Sequence, residues 1–166
     1  EEPGAIGVRS AWRGAVAVAS WQGDAANRDR GSGMSGIATG WDVGGAHLKV
    51  AQADGQGRLF MAAQAPCQLW MGMDRLARAL KDVRRHLRPS TRHAVTMTGE
   101  LVDLFPSRAQ GVARLIAAMN GKLGGAETTY YAGPAGWLGA HAARRRWRDV
   151  ASANWHASGW LAARRR

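Results

Sequence analysis

Residues 40–49 read GWDVGGAHLK, and this stretch decides how the surrounding region folds. The preceding apolar run, 37–43, stops at a pair of glycines, which predicts a buried strand ending in a tight turn. Apolar and polar residues then alternate over 46–53, where His47 and Lys49 are set against apolar neighbours, and this predicts a second strand. The stretch therefore predicts a β-hairpin closed by glycines.

The pattern on the carboxyl side of the hairpin predicts a mixed sheet covered by helices. A Gly-rich turn at 54–57 leads into a third strand at 58–63, so the first three strands form an antiparallel meander. Pro66 then interrupts the chain. The remaining predicted elements are a helix over 69–87, a strand over 92–98, a helix over 106–119, a strand over 128–132 and a largely helical stretch over 137–160 with one break near Val150. The order βββαβαβα is typical of the α/β class.

The chain is strongly basic, and its charge is unevenly distributed. It has 166 residues and a formal net charge of +11. Much of the excess is arginine, in two groups at 144–148 and 164–166. A nucleic acid could bind such a surface, but basic side chains more often cover a solvated helix face. The sequence also lacks a zinc module and the aromatic signature of an RNA-binding sheet. The sequence therefore disfavours a nucleic-acid partner.

The first 33 residues differ from the rest of the chain. They contain four basic and four acidic residues, so the whole excess of positive charge lies beyond them. Met34 follows a polar, Gly-rich stretch and directly precedes the first strand. We interpret residues 1–33 as a non-native extension upstream of a natural start at Met34, with a disordered tail as the alternative.

One cysteine, Cys67, limits the covalent chemistry of the chain. A single cysteine forms no intramolecular disulfide and no cysteine-based zinc site, and a core position is its ordinary role. We therefore expect a reducing, cytoplasmic location. No apolar run approaches the roughly 20 residues needed to cross a bilayer, so we also expect no membrane partner.

The residues of the hairpin suit a phosphate site. A carboxylate at the end of a strand, Asp42, can hold Mg²⁺ through water. Gly44 and Gly45 allow the backbone amides to approach an anion closely, and Lys49 adds a positive charge. A purely structural hairpin explains the same spacing equally well, and the spacing does not show that Asp42 and Lys49 converge.

Four blocks of sequence resemble the tetrahydromethanopterin-linked C1-transfer proteins, a family of the hydantoinase A/oxoprolinase superfamily. The blocks are 41–49, 97–105 with Arg108 and 111–112, 131–133, and 151–157. The glycine hairpin between the first two strands is similar to the phosphate loop of the actin-like (ASKHA, ribonuclease H-like) proteins. The resemblance implies that residues 34–166 form the first actin-like lobe of such a protein, with the chain truncated before the second lobe that would complete the ligand cleft.

The resemblance also implies a reaction and a set of site residues. The family function is a transferase step of methanofuran biosynthesis, in which an aminomethylfuran diphosphate is joined to γ-glutamyltyramine with Mg²⁺ as cofactor. The implied roles are metal binding by Asp42, phosphate binding by Gly44, Gly45, Ala46 and Lys49, and catalysis by His47, Glu100 or Asp103. The sequence does not choose the base among the last three.

Other readings of the sequence stay open. An ATP-dependent hydrolase of the hydantoinase/oxoprolinase type is the first alternative, although Ala46 stands where phosphate loops of ATP-using relatives carry a hydroxyl residue. A non-enzymatic basic nucleic-acid-binding module is the second. The expected partners are a phosphorylated small molecule and the missing carboxyl-terminal lobe, and assembly into a homo-oligomer is open. We expect the chain to have little activity by itself.

Overall fold

The chain folds into an α/β structure built on one six-stranded mixed sheet. The computed structural model describes residues 36–90, 92–124 and 127–163. The strand order across the sheet is β3-β2-β1-β4-β5-β6. The strands are β1 Ala38–Val43, β2 His47–Ala53, β3 Leu59–Pro66, β4 Arg92–Met97, β5 Glu127–Tyr131 and β6 Trp137–Gly139. The helices are α1 Met73–Arg84, α2 Arg108–Leu123, α3 Ala140–Arg145, α4 Trp147–Val150 and α5 Asn154–Ala163.

The predicted antiparallel meander of the first three strands is confirmed. β1 pairs antiparallel with β2, and β2 with β3. On its other side β1 runs parallel to β4, and β4 runs parallel to β5. The carboxyl ends of three parallel strands therefore meet at one edge of the sheet, the usual position of ligands in α/β folds.

The boundaries of the first two long helices follow local backbone chemistry. The predicted helix over 69–87 is divided, because Gly72 adopts a φ of 139° between a short 3₁₀ turn and α1. Ser107 caps α2 by accepting a hydrogen bond from the amide of Gln110. That cap places the start of α2 two residues after Pro106, where the helix was predicted to open.

The core lies between the sheet and the apolar faces of α1 and α2. Trp41, Leu80 and Leu115 are representative members, each with an exposed fraction of 1% or less. The indole nitrogen of Trp41 donates to His93 Nδ1 at 3.2 Å, so the one polar atom of this buried ring has a partner. Helical and strand periodicities were sufficient to place these side chains in the core.

The predicted helical stretch over 137–160 is wrong at its start and incomplete in its breaks. β6 pairs antiparallel with β5, after a turn in which the amide of Ala132 donates to the carbonyl of Gly136 at 2.8 Å. This hairpin fixes the short segment as a strand, because pairing with β5 outweighs its local helical pattern. The helical remainder breaks at Arg146 and again at Ser152, whose φ is 57°.

The third strand runs three residues beyond its predicted end and includes Pro66. β3 lies at the edge of the sheet, where a missing N–H disrupts no ladder on the open side. The interpretation of residues 1–33 and the arginine group at 164–166 fall outside the described residues. Within the described ranges, no helix is both long enough and apolar enough to cross a lipid bilayer.

Candidate functional site

The four sequence blocks that carry the family resemblance meet at the carboxyl edge of the sheet. Three blocks end or follow the parallel strands β1, β4 and β5, and the fourth contains the start of α5. The fourth block reaches the first directly, because Asn154 contacts Asp42 although the two are 112 residues apart in the chain. We call this region the carboxyl-edge site.

Asp42 lies at the centre of the carboxyl-edge site and is nearly completely buried, with 3% of its surface exposed. It is the direct cross-strand partner of Lys49, so the two side chains share one face of the sheet. Lys49 Nζ lies 3.2 Å from Asp42 Oδ2, and Asn154 Nδ2 lies 3.4 Å from Oδ1. Asp42 and Lys49 therefore converge, which their sequence spacing did not establish.

Some backbone amides of the glycine hairpin form hydrogen bonds within the protein, and others have no partner among the described residues. The amide of Gly44 donates to the carbonyl of His47 at 3.1 Å, so the predicted phosphate-binding role of this amide is taken by the hairpin itself. The carbonyls of Gly45 and Ala46 accept hydrogen bonds from Leu69 and Cys67, at 2.7 and 2.8 Å, which anchors the loop. Among the described residues, no acceptor pairs with the amides of Gly45 and Ala46. These two amides can bind an anion.

Close packing explains why the hairpin carries glycine at position 45. A β-carbon placed on Gly45 would stand 2.7 Å from Val102 Cγ1, which is far too close. Val102 belongs to the connection after β4, so the absence of a side chain lets that connection approach the loop. Thr98 also reaches the loop, and its hydroxyl oxygen lies 3.7 Å from the position that a β-carbon on Gly44 would occupy. A hydroxyl is therefore present beside the loop even though Ala46 provides none.

Glu100 is buried in a 3₁₀ turn directly after β4, and its side chain has no exposed surface. Its Oε1 accepts from Ser152 Oγ at 2.7 Å and pairs with Arg108 at 3.1 Å. The same arginine donates to Ser152 Oγ at 2.8 Å, which closes a three-residue network. The second oxygen, Oε2, is buried and has no partner in the described part of the chain.

A tyrosine and a histidine form a second polar pair at the carboxyl edge. The Tyr131 hydroxyl lies 2.9 Å from His156 Nδ1, and which atom donates depends on the histidine tautomer. Partial burial raises the pKa of Tyr131, so its hydroxyl stays neutral at physiological pH. His156 itself is exposed. In the tautomer whose Nδ1–H donates to the tyrosine oxygen, Nε2 is free to accept a proton.

The three residues predicted as catalytic lie in different environments. His47 and Asp103 are exposed, and neither side chain has a partner among the described residues. Glu100 is buried and held by Arg108 and Ser152. The structure therefore does not gather these three residues into one catalytic group.

The fit of a magnesium ion depends on oxygen atoms that are available near Asp42. No group of three or more His, Cys, Asp or Glu side chains in the described ranges is arranged to hold a metal. Mg²⁺, however, commonly uses one or two carboxylates, keeps several waters and takes its other ligands from phosphate. The buried Oδ1 of Asn154 has no partner in the described structure, although its Nδ2 contacts Asp42. Asp42 and Asn154 together thus fit a hydrated ion.

Sequence reasoning gave Ser152, Tyr131 and Thr98 no assigned role in the site. They lie in separate segments, with Thr98 beside the glycine hairpin, Tyr131 at the end of β5 and Ser152 in the turn before α5. The only available signal was their position inside the four resembling blocks. No protein-family model matches this chain, and no curated protein matches it.

Proposed function

We propose that the chain is the ligand-binding lobe of a cofactor-biosynthesis transferase whose substrate carries a diphosphate leaving group. The observation that carries the proposal is the arrangement of Asp42, Lys49 and the unpaired amides of Gly45 and Ala46 at one edge of the sheet. A carboxylate, an ammonium group and backbone donors in one place suit a metal-bound diphosphate. The actin-like assignment of the fold is part of this proposal.

The motif resemblance supplies the proposed reaction. The phenol oxygen of γ-glutamyltyramine forms a bond to the methylene carbon of an aminomethylfuran diphosphate, and the bond from that carbon to the diphosphate oxygen breaks. The diphosphate leaves with the electron pair, and a base takes the phenol proton. When bound, Mg²⁺ would neutralise charge on the departing diphosphate.

The residues of the lobe have distinct roles in this proposal. Asp42 and Asn154 hold the hydrated ion, and Lys49 orients the phosphate oxygens beside it. The amides of Gly45 and Ala46 donate to the diphosphate. We assign the base to His156, whose Nδ1 lies 2.9 Å from the Tyr131 hydroxyl at the same edge of the sheet.

Binding measurements with and without Mg²⁺ test these roles without requiring turnover by the chain. With Mg²⁺, we expect Asp42→Asn to weaken pyrophosphate binding by about tenfold or more. Without Mg²⁺, the same variant should bind pyrophosphate at least as well as the wild type, because a negative charge has been removed. Lys49→Gln should weaken binding in both conditions. Isothermal titration calorimetry measures the affinity of the wild type and of both variants, with and without Mg²⁺.

Two comparisons separate a local effect at Asp42 from a change of net charge and from a loss of folding. Asp103→Asn removes the same charge from an exposed carboxylate and should leave both affinities unchanged. A general loss of folding would weaken binding in both conditions, so the opposite responses of Asp42→Asn separate a site defect from unfolding. Equal responses of the Asp42 and Asp103 variants would contradict the proposal.

The ATP-dependent hydrolase is the second candidate, and ligand preference discriminates between the two. Thr98 supports it, because its hydroxyl oxygen lies 3.7 Å from the β-carbon position of Gly44 and so supplies a hydroxyl beside the loop, although not at position 46. If the transferase proposal is right, an aminomethylfuran diphosphate displaces Mg²⁺-pyrophosphate at lower concentration than ATP does. Preferential displacement by ATP would favour the hydrolase.

A further inference from the structure

A basic groove lies away from the carboxyl-edge site, between α1 and the end of α2. Its volume is about 640 Å³, and five cationic side chains line it: Arg78, Lys81, Arg84, Arg85 and Lys122. α1 starts after β3 and ends near the amino-terminal edge of the sheet, where Ser90 donates to the carbonyl of Ile37 just before β1. The groove and Asp42 therefore lie towards opposite edges of the sheet.

Few of these cations are neutralised within the protein. Arg78 pairs with Asp74 at 3.2 Å and Arg85 pairs with Asp82 at 3.4 Å, both in exposed positions where ion pairs contribute little. The other three, Lys81, Arg84 and Lys122, form no ion pair with a carboxylate in the described ranges. Arg84 instead donates to the backbone carbonyl of Lys122 at 2.6 Å, which connects the two helix ends.

The positive surface continues beyond the groove. Arg84 also lines a neighbouring cavity of about 370 Å³, together with Arg88. Cations in the last turn of α1 stabilise the helix dipole, but this effect concerns one helix and falls off within one turn. Lys122 belongs to α2, and like charges from two helices repel one another around a shared groove. An anion with several charges would remove that repulsion.

We propose that this groove binds the phosphate backbone of a nucleic acid, a partner that the sequence pattern alone disfavours. Its cations suit consecutive phosphates better than a single one, since they recur at 78, 81, 84 and 85 and continue onto α2 at Lys122. No aromatic side chain is among the described residues that line the 640 Å³ groove, so it offers no surface on which bases can stack. Binding is consequently electrostatic, independent of sequence and strongly dependent on salt.

The test compares two double variants that lose the same charge. Lys81→Gln/Lys122→Gln changes the groove, and Arg144→Gln/Arg145→Gln changes exposed residues of α3. Fluorescence anisotropy with a labelled oligothymidylate of about 20 nucleotides gives the affinities over about 50 to 200 mM salt. We expect the groove variant to bind about tenfold more weakly, with a salt slope smaller by about 1.4, because two phosphate contacts are lost. The α3 variant should stay within about twofold of the wild type.

Three results would overturn the proposal. Equal losses in the two double variants would show an effect of net charge alone, and no salt-dependent binding by the wild type would show that the groove binds no nucleic acid. Binding to anionic phosphatidylserine vesicles without binding to the oligonucleotide would identify a membrane surface instead. Thermal unfolding of both variants checks their folding.

Discussion

At the scale of single residues, the hydrogen bonds and ion pairs of a buried side chain come from partners that are distant in sequence. The sequence singled out Asp42 from its position at a strand end beside two glycines. Its convergence with Lys49 depends on the pairing register of the hairpin, and its contact with Asn154, 112 residues away, depends on the turn at Ser152. The local sequence pattern predicts the position of Asp42 at a strand end. Its contacts with Lys49 and Asn154 are visible only in the folded structure.

His93 shows how burial converts one residue into a pH-dependent contribution to stability. Desolvation by burial and, to a smaller extent, the nearby charge of Arg84 together lower the pKa of His93 to about 4. His93 therefore becomes protonated near pH 6.5 in the unfolded chain, but only near pH 4 in the folded chain. The stability that depends on neutral His93 is present above about pH 6.5 and is lost as the pH falls towards 4.

We expect His93→Asn to remove this pH-dependent part of the unfolding free energy, which amounts to at most about 3 kcal/mol. The asparagine oxygen can still accept from Trp41, so the variant should fold. Urea unfolding at about pH 7, 5.5 and 4.5 measures the effect, with the exposed His86→Asn as the matched control. Parallel pH profiles for the wild type and His93→Asn would show that His93 does not titrate in this window.

At the scale of elements, the periodic segments were predictable and the irregular ones were not. The meander, β4, β5 and the two long helices follow from alternation and helical spacing, so their errors are limited to the ends. β6 was missed because its three residues form a strand only through pairing with β5. The break at Arg146 was missed, whereas the break predicted near Val150 corresponds to the turn between α4 and α5, where Ser152 adopts a left-handed conformation.

This turn is held to the end of β4 by the bond between Ser152 and buried Glu100. We expect Ser152→Ala to lower the unfolding free energy by about 1 to 3 kcal/mol, because a hydrogen bond to a buried carboxylate is lost. Ser152→Gly should be less damaging, since glycine loses the same bond but relieves about 1 kcal/mol of left-handed strain. Denaturant unfolding ranks the variants.

Ser158→Ala is the matched control, because this serine lies in α5 and its side chain makes no hydrogen bond within the described structure. Its expected effect is within about 0.5 kcal/mol of zero. If Ser152→Ala is as stable as this control, the network with Glu100 and Arg108 does not hold the turn. If Ser152→Gly is the least stable of the three, strain at position 152 is not the relevant cost.

At the scale of the whole molecule, the sheet separates two different charged environments. The carboxyl edge holds a buried carboxylate, an ammonium group and two unpaired amides, which suits a small metal-bound diphosphate. The groove near the other edge holds several cations on a shallow surface, which suits a polymer of phosphates. The net charge of +11 gave no indication of this division, because a sum over the chain carries no positions.

The central claim, that the carboxyl edge binds a diphosphate, is tested most directly by nuclear magnetic resonance. Amide spectra of the ¹⁵N-labelled chain would be followed during titration with Mg²⁺-pyrophosphate. The account predicts saturable shifts of the Gly45 and Ala46 amides and of the Asn154 side-chain amide, all with one dissociation constant. Shifts confined to the basic groove at Lys81 and Lys122, with the hairpin amides unmoved at saturation, would contradict it.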